Sequence, residues 1–417
     1  MPSVCFYFQI HQPFRLRKYT AFDTDSNYFD NTMNAEIVRR IAERCYVPMN
    51  RLLLDLVRLH GGRFRVAFSI TGTALEQLES YAPEALQGLQ ALAETRCVEF
   101  LGETYYHSLA ALHSPEEFRE QVELHRKTVR RLFGQTPKVF RNTELIYSNH
   151  IGAMAGAMGF SGVLAEGWEP VLNKRSAAFV YRGHGVSVDG FAGAGPGAAA
   201  APMPLILLRN HRLSDAIAFQ FADARSPEFP LTEEKFAALV SQIGGRLCNL
   251  FMDYETFGEH QSEATGIFEF MRAMPGKLLA QNVDFRLPGE LVAAAVGGEG
   301  EEAELETAGE LDVPHPISWA DEARDLGAWM GNAMQANALQ ELYKLEKAVK
   351  GKAGTGGKAG RLLSEWRKLT TSDHFYYMST KEAADGGVHA YFRPYDSPYD
   401  AYINFMNIVD SVRSRAE

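Results

Sequence analysis

A chain of 417 residues with 46% apolar and 23% charged residues can hold one large α/β domain and a smaller unit, and its composition is that of a globular protein. Acidic residues outnumber basic ones by 52 to 42, a formal net charge of -10, which argues against a nucleic-acid partner and favours a neutral, polyhydroxylated ligand over a phosphorylated one. No apolar run approaches the roughly 18 residues that span a bilayer, and MPSVCFYFQIHQP carries no cationic leader, so the expectation is a cytoplasmic protein without a membrane partner.

The first element is a strand over residues 3–10 (SVCFYFQI), short, aromatic and β-branched, broken by His11-Gln12-Pro13. Helical spacing over 34–60 ends at Gly61-Gly62, a second strand follows at 63–70, residues 83–95 read as a helix, and 97–101 is a third strand ending at Gly102-Glu103. Ser114-Pro115-Glu116-Glu117 supplies an N-cap, a proline at the first helical position and a Glu at the third, predicting a helix to Phe133 that stops at Gly134. Strands at 138–141, 162–165 and 205–208 alternate with helices near 150–159 and 232–244, and a last strand ends at Asp253. The segments 192–204, 299–312 and 350–360 read as loops by composition. Residues 320–348 and 361–370 read as helices. The expected organisation is a β/α barrel over 1–310 and a helical region over 311–417 packed on it and completing its cleft.

Nearly every strand ends in polar, acidic or histidine residues: His11, Glu103, Glu144, Glu166, His211 and Asp253. In parallel α/β folds these ends share one face, where active sites sit. A barrel is favoured over an open sheet because no phosphate-binding glycine motif follows any strand. Two strand-end carboxylates, Glu144 and Asp253, are the minimum equipment for cleaving a glycosidic bond, with Glu255 an internal rival to Asp253. Trp168, Trp319 and Trp329 beside acids or small residues suit stacking on sugar rings, although tryptophans also serve as core. His11, His107, His113 and His211 suit hydrogen bonds to sugar hydroxyls. A metal reading lacks ligand spacing, no H-E-x-x-H or G-x-S-x-G is present, and the expectation is no metal and no cofactor. Four scattered cysteines, Cys5, Cys45, Cys97 and Cys248, read as buried reduced thiols.

Taken together, HQP at 11–13, VEFLGETYYHSL (98–109), FRNTELIYSN (140–149), FMDYETFGEH (251–260) and ISWADEARDLGAWMGN (317–332) resemble, in order, the five motif regions of glycoside hydrolase family 57. The likeness extends into DHFYYMSTK (373–381) and YFRPYDSPYDAYINFMN (391–407), as in the α-amylase-like branch. The resemblance implies a distorted (β/α)7 barrel with a C-terminal helical domain and a retaining hydrolase acting on α-glucans without a metal or cofactor. It assigns Glu144 as nucleophile and Asp253 as general acid/base, with His11, Glu103, His211, Asp215, Trp319 and Asp321 around the reacting glucose. The insertions at 192–204 and 350–360 are not features of that family. The same intermediate would serve a 4-α-glucanotransferase or branching enzyme. A sugar-binding protein without turnover and a metal-dependent carbohydrate hydrolase stand as readings from other classes.

Overall fold

Inward and outward residues alternate along every buried strand, and this alternation organises the molecule. The computed structural model describes residues 2–188, 191, 202–296, 305–352, 357–381 and 394–417. Residues 192–201, 299–304, 353–356 and 391–393, within segments singled out above, lie outside the described residues.

The strands are β1 (Ser3–Ile10), β2 (Val66–Ile70), β3 (Val98–Phe100), β4 (Val139–Arg141), β5 (Gly162–Glu166), β6 (Val180–Gly183), β7 (Leu205–Arg209), β8 (Leu247–Asp253) and β9 (Thr307–Leu311). One sheet has the order β3-β2-β1-β8 and the other β4-β5-β7-β6-β9. A parallel bridge between Gly102 and Phe140 joins β3 to β4, with Arg141 N donating to Gly102 O at 2.8 Å. On the far side Asn210 N donates to Asn249 O at 2.9 Å and Asn249 Nδ2 to Leu208 O at 2.8 Å, joining β7 to β8. The parallel strands β1, β2, β3, β4, β5, β7 and β8 therefore close into a distorted (β/α)7 barrel. The distortion lies at the β7–β8 seam. There β6 runs antiparallel to β7, and Ala178 just before it accepts from the N–H groups of Arg246 and Leu247 at the start of β8.

Cys5 and Tyr7 of β1, Ala67 of β2, Val139 of β4, Leu164 of β5, Leu205 and Leu207 of β7, and Leu247 and Phe251 of β8 fill the barrel interior. The intervening residues Val4, Phe6, Phe8, Val66, Phe68, Leu250 and Met252 pack outward on the helices Asn31–Ile41, Val47–Leu59 and Ile267–Ala280. One more inward step along each strand brings Gln9, Ser69, Arg141, Glu166, Arg209 and Asp253 to the C-terminal mouth. Strand parity thus stacks a polar layer on an apolar plug.

The helical spacing read over 34–60 is two helices divided by a π-helical segment, Ala42–Tyr46, just before Pro48, whose ring removes one N–H from the ladder. The helix Pro115–Phe133 has the ends the sequence predicts: Ser114 accepts from Glu117 N, and Gly134 sits at φ 68°. Two strands, β6 and β9, and the helix Gly72–Tyr81 lie in segments not expected to form them.

In the C-terminal region the helical pattern expected from 320 begins at Gly327. Residues before it form an irregular strap in which Asp321 and Arg324 are left-handed (φ 56° and 51°). Helices Ala333–Lys344, Glu346–Lys352, Gly357–Leu369, Ser372–Tyr376 and Pro398–Ala416 follow. Trp329, Leu339, Trp366, Phe375 and Phe405 share one core with Phe118, Tyr147 and Ile151 from the barrel side. All four cysteines are buried and free. No described helix is long and apolar enough to cross a membrane.

Candidate active site

Glu144 follows β4 in the 3₁₀ turn Thr143–Leu145, with φ 56° and ψ 28°. A left-handed conformation at a side-chain-bearing residue costs of order 1–3 kcal/mol and persists only where the surroundings impose it. Here they do. His107 Nε2 donates to Glu144 Oε1 at 3.1 Å, and Trp319 Nε1 donates to Oε2 at 2.7 Å. Burial alone would raise the Glu144 carboxyl. The hydrogen bond and charge of His107, the buried Arg141 guanidinium and the Trp319 N–H outweigh it and hold the group at about 2. The side chain retains 21% exposure, so it faces the mouth.

His107 is itself left-handed (φ 51°) and 2% exposed. Its Nδ1 donates to Glu103 Oε2 at 3.4 Å, so the ring bridges two carboxylates. Burial would lower its pKa, but the bonds to Glu103 and Glu144 raise it to about 9, which makes both ring nitrogens donors. Glu103 lies behind, fully buried, accepting from Gln9 Nε2 at 3.4 Å and from the Ser69 hydroxyl. The His11 ring stacks on His107 with centroids 4.0 Å apart. Burial and the His107 charge keep His11 below its ordinary value. In the neutral ring Nε2–H donates to Asp373 Oδ2 at 2.8 Å, and Nδ1 accepts from the Thr71 hydroxyl at 3.0 Å.

Asp253 ends β8 across the mouth. Burial raises its pKa. His260 works against that shift, and the Glu144 charge adds to it. Glu255, its rival in sequence, turns away after the strand ends. It is buried, accepts from Gln12 Nε2 at 3.2 Å and from the Tyr46 hydroxyl, and is pushed up to about 8 by burial and then by Asp253.

A second ionic cluster lies along the rim. Arg209 donates to Glu166 Oε2 at 3.1 Å and to Asp215, while Arg324 approaches both acids at 3.7 and 3.9 Å. Asp321 accepts from Lys381 Nζ at 3.3 Å. His211 opens the helix His211–Ala218 half-buried, and Trp168 packs half-buried against the second core. Neither hydrogen-bonds Glu144 or Asp253 among the described residues. His113 stacks on Tyr343, and Trp329 is core. Among the described residues no group of three or more His, Cys, Asp and Glu side chains has the arrangement of a metal site.

Sequence reasoning left Gln9, Ser69, Thr71, Arg141 and Asp373 without a role. The inward parity of Gln9, Ser69 and Arg141 was a usable signal, since each is a polar residue at a position where its strand otherwise turns apolar residues inward. Asp373 stands at the head of a quoted motif, but only the folded chain brings it to His11, 362 positions away.

The sequence model of the family described as glycosyl hydrolase family 57 matches residues 5–300. A protein of Methanocaldococcus jannaschii named "Putative alpha-amylase" is 38% identical over 416 residues, covering 97% of this chain and 83% of that protein. Among solved structures, a branching enzyme from Pyrococcus horikoshii superposes with a TM-score of 0.64 at 14% identity, over 98% of this chain and 88% of that one. The 4-alpha-glucanotransferase of Thermococcus litoralis gives 0.62 at 14% identity over 98% of this chain, which spans 58% of that longer one. These structural likenesses speak to the fold. The match through the barrel and the near full-length relative speak to descent, and on them the chain belongs to glycosyl hydrolase family 57.

Proposed function

We propose that this protein is a retaining glycoside hydrolase of α-glucans, with Glu144 as nucleophile and Asp253 as general acid/base. The observation that carries the reading is the opposite tuning of two carboxyls at one mouth. Glu144 is held ionised by two N–H donors, while burial favours the protonated form of Asp253. Family membership and the α-amylase name of the 38% identical relative support the α-glucan class. Residues 311–417 complete the cleft in this reading, since Trp319 and Asp373 come from them.

Asp253 gives its proton to the glycosidic oxygen as the C1–O bond breaks and a Glu144 oxygen bonds C1. Asp253, now ionised, takes a proton from water as the water oxygen attacks C1. The bond between C1 and the Glu144 oxygen breaks in that same displacement, Glu144 leaves as a carboxylate, and the anomeric configuration is retained. Retention calls for a separation of about 5 to 5.5 Å between the two carboxyl groups. Asp373, Asp215 and Asp321 offer polar atoms to sugar hydroxyls around the mouth, and His11, with both ring nitrogens engaged, holds Asp373 there. Glu103 and His107, buried behind Glu144, act on the sugar through the nucleophile.

The test is overnight incubation of wild type and Glu144→Gln with maltoheptaose and with starch, products resolved by chromatography. Shorter maltooligosaccharides from wild type alone are expected. Longer products beside shorter ones would reassign the activity to transfer between sugars. Unchanged substrate with both proteins would remove the α-glucan reading.

A further inference from the structure

Trp319 grips Glu144 at two points. Its backbone N–H donates to the Glu144 carbonyl at 3.2 Å and its indole N–H to Oε2 at 2.7 Å, so one residue fixes both the left-handed backbone and the carboxylate. The indole is itself fixed. The Arg141 guanidinium lies over the ring at 4.9 Å from the centroid and that of Arg209 at 5.7 Å. Arg141 is fully buried, and none of its three guanidinium nitrogens has a hydrogen-bond partner among the described residues. Its contact there is the indole face, together with the field of the surrounding carboxylates. A cation over the face withdraws electron density from the ring and makes the N–H a stronger donor.

The strap carrying Trp319 is closed on both sides. Tyr147 and Ile317 exchange backbone bonds at 2.9 Å, Ser318 N donates to Arg324 O at 2.9 Å, and the Ser318 hydroxyl donates to Asp325 O at 2.7 Å. The Arg324 side chain donates to the Trp319 carbonyl while facing Glu166 and Asp215. A sugar platform would need none of this. A part that must hold an acid oxygen to a fraction of an ångström needs all of it.

We propose that Trp319 is a positioning residue for Glu144, setting the direction in which the carboxylate meets the anomeric carbon, and not a surface on which the sugar stacks. The inference rests on the reading of Glu144 as nucleophile. The charged and titratable groups facing Glu144 are His107 and Arg141, with Glu103 behind His107 and Asp253 across the mouth.

Two measurements test it. In ¹H–¹⁵N spectra the four tryptophans give four indole signals, and Trp319→Phe identifies the one lost. That signal is expected to move in Glu144→Gln, where Trp319 is intact and the carboxylate charge is gone. A signal indifferent to Glu144→Gln overturns the proposal. On maltoheptaose, Trp319→Phe is expected to lower kcat by roughly 10²-fold with KM within about twofold, and to shift the acid limb of kcat/KM to higher pH. A raised KM with kcat and acid limb unmoved would make Trp319 a sugar contact and overturn it. The spectroscopic arm needs no turnover. If α-glucans are not cleaved but the indole responds to Glu144, the substrate reading falls and the positioning role stands.

Discussion

His107 is paired with Glu103 behind it and Glu144 in front, and its shift and that of Glu144 share their common contact. The sign for His107 follows from its folded pKa of about 9 against 6.5. The stabilisation is fully present below 6.5 and is lost as pH rises through the folded value. For Glu144, with a folded pKa of about 2 against 4.5, stability present above 4.5 is lost as pH falls toward 2. Denaturant titrations across the alkaline window are therefore expected to lose roughly 3 kcal/mol between about pH 6.5 and 9 as His107 gives up its contacts with Glu103 and Glu144. Glu255 and Glu99, pushed up to about 8 and about 7, lower stability with rising pH as well, mostly from 4.5 upward. The contribution of His107 is isolated by His107→Gln, in which the slope of stability against pH from 6.5 to 9 should flatten. An unchanged slope would show that the ring is not charged in the folded state. At this scale the sequence named Glu144, His107 and Glu103 as residues of one face. It did not show that His107 stands between the two acids, because that depends on a left-handed backbone at a residue with no local signal for it.

Elements whose ends are written in local chemistry were the most legible. Ser114, Pro115, Glu117 and Gly134 fix both ends of the helix Pro115–Phe133 without reference to the rest of the chain. Ser114→Ala removes the acceptor for Glu117 N and the bond to Glu346 Oε1 at 2.9 Å, and is expected to cost about 1 kcal/mol. A lowered urea midpoint with an unchanged m-value would show it. The break at Ala42–Tyr46 was less legible, since the helical period continues through it. The π-helical turn rotates Cys45 and Tyr46 toward β8, where the thiol donates to Tyr254 O at 3.1 Å and the phenol to Glu255. The strap before Gly327 misled in the opposite sense. Its alanines and charges fit a helix, yet Trp319 donates to Glu144, Asp321 accepts from Lys381 and Arg324 faces Glu166 and Asp215, partners on other elements that helical geometry would forgo.

At the scale of the whole molecule, chain from the far end of the sequence reaches the strand ends of the barrel, Trp319 at Glu144 and Asp373 at His11. Trp366 is fully buried in the core shared by barrel and C-terminal helices, meets Tyr343 edge to face and donates to Leu342 O at 2.9 Å. Trp366→Ala is expected to cost about 3–5 kcal/mol. It should also lower kcat, because the helix bearing Asp373 rests on that core and Asp373 holds His11. A destabilised variant with full kcat below its melting range would separate the two regions. Strand alternation, helix caps and strand-end acids belonged to the sequence alone, because each is decided by neighbours within a few residues and by the period of the backbone. They sufficed for an α/β barrel and for a polar mouth. Which carboxyl is lowered and which is raised was decided only in the fold. Those properties depend on burial and on partners far apart in the chain, His11 with Asp373 at 362 positions and Glu144 with Trp319 at 175, and a one-dimensional order carries no distance between them.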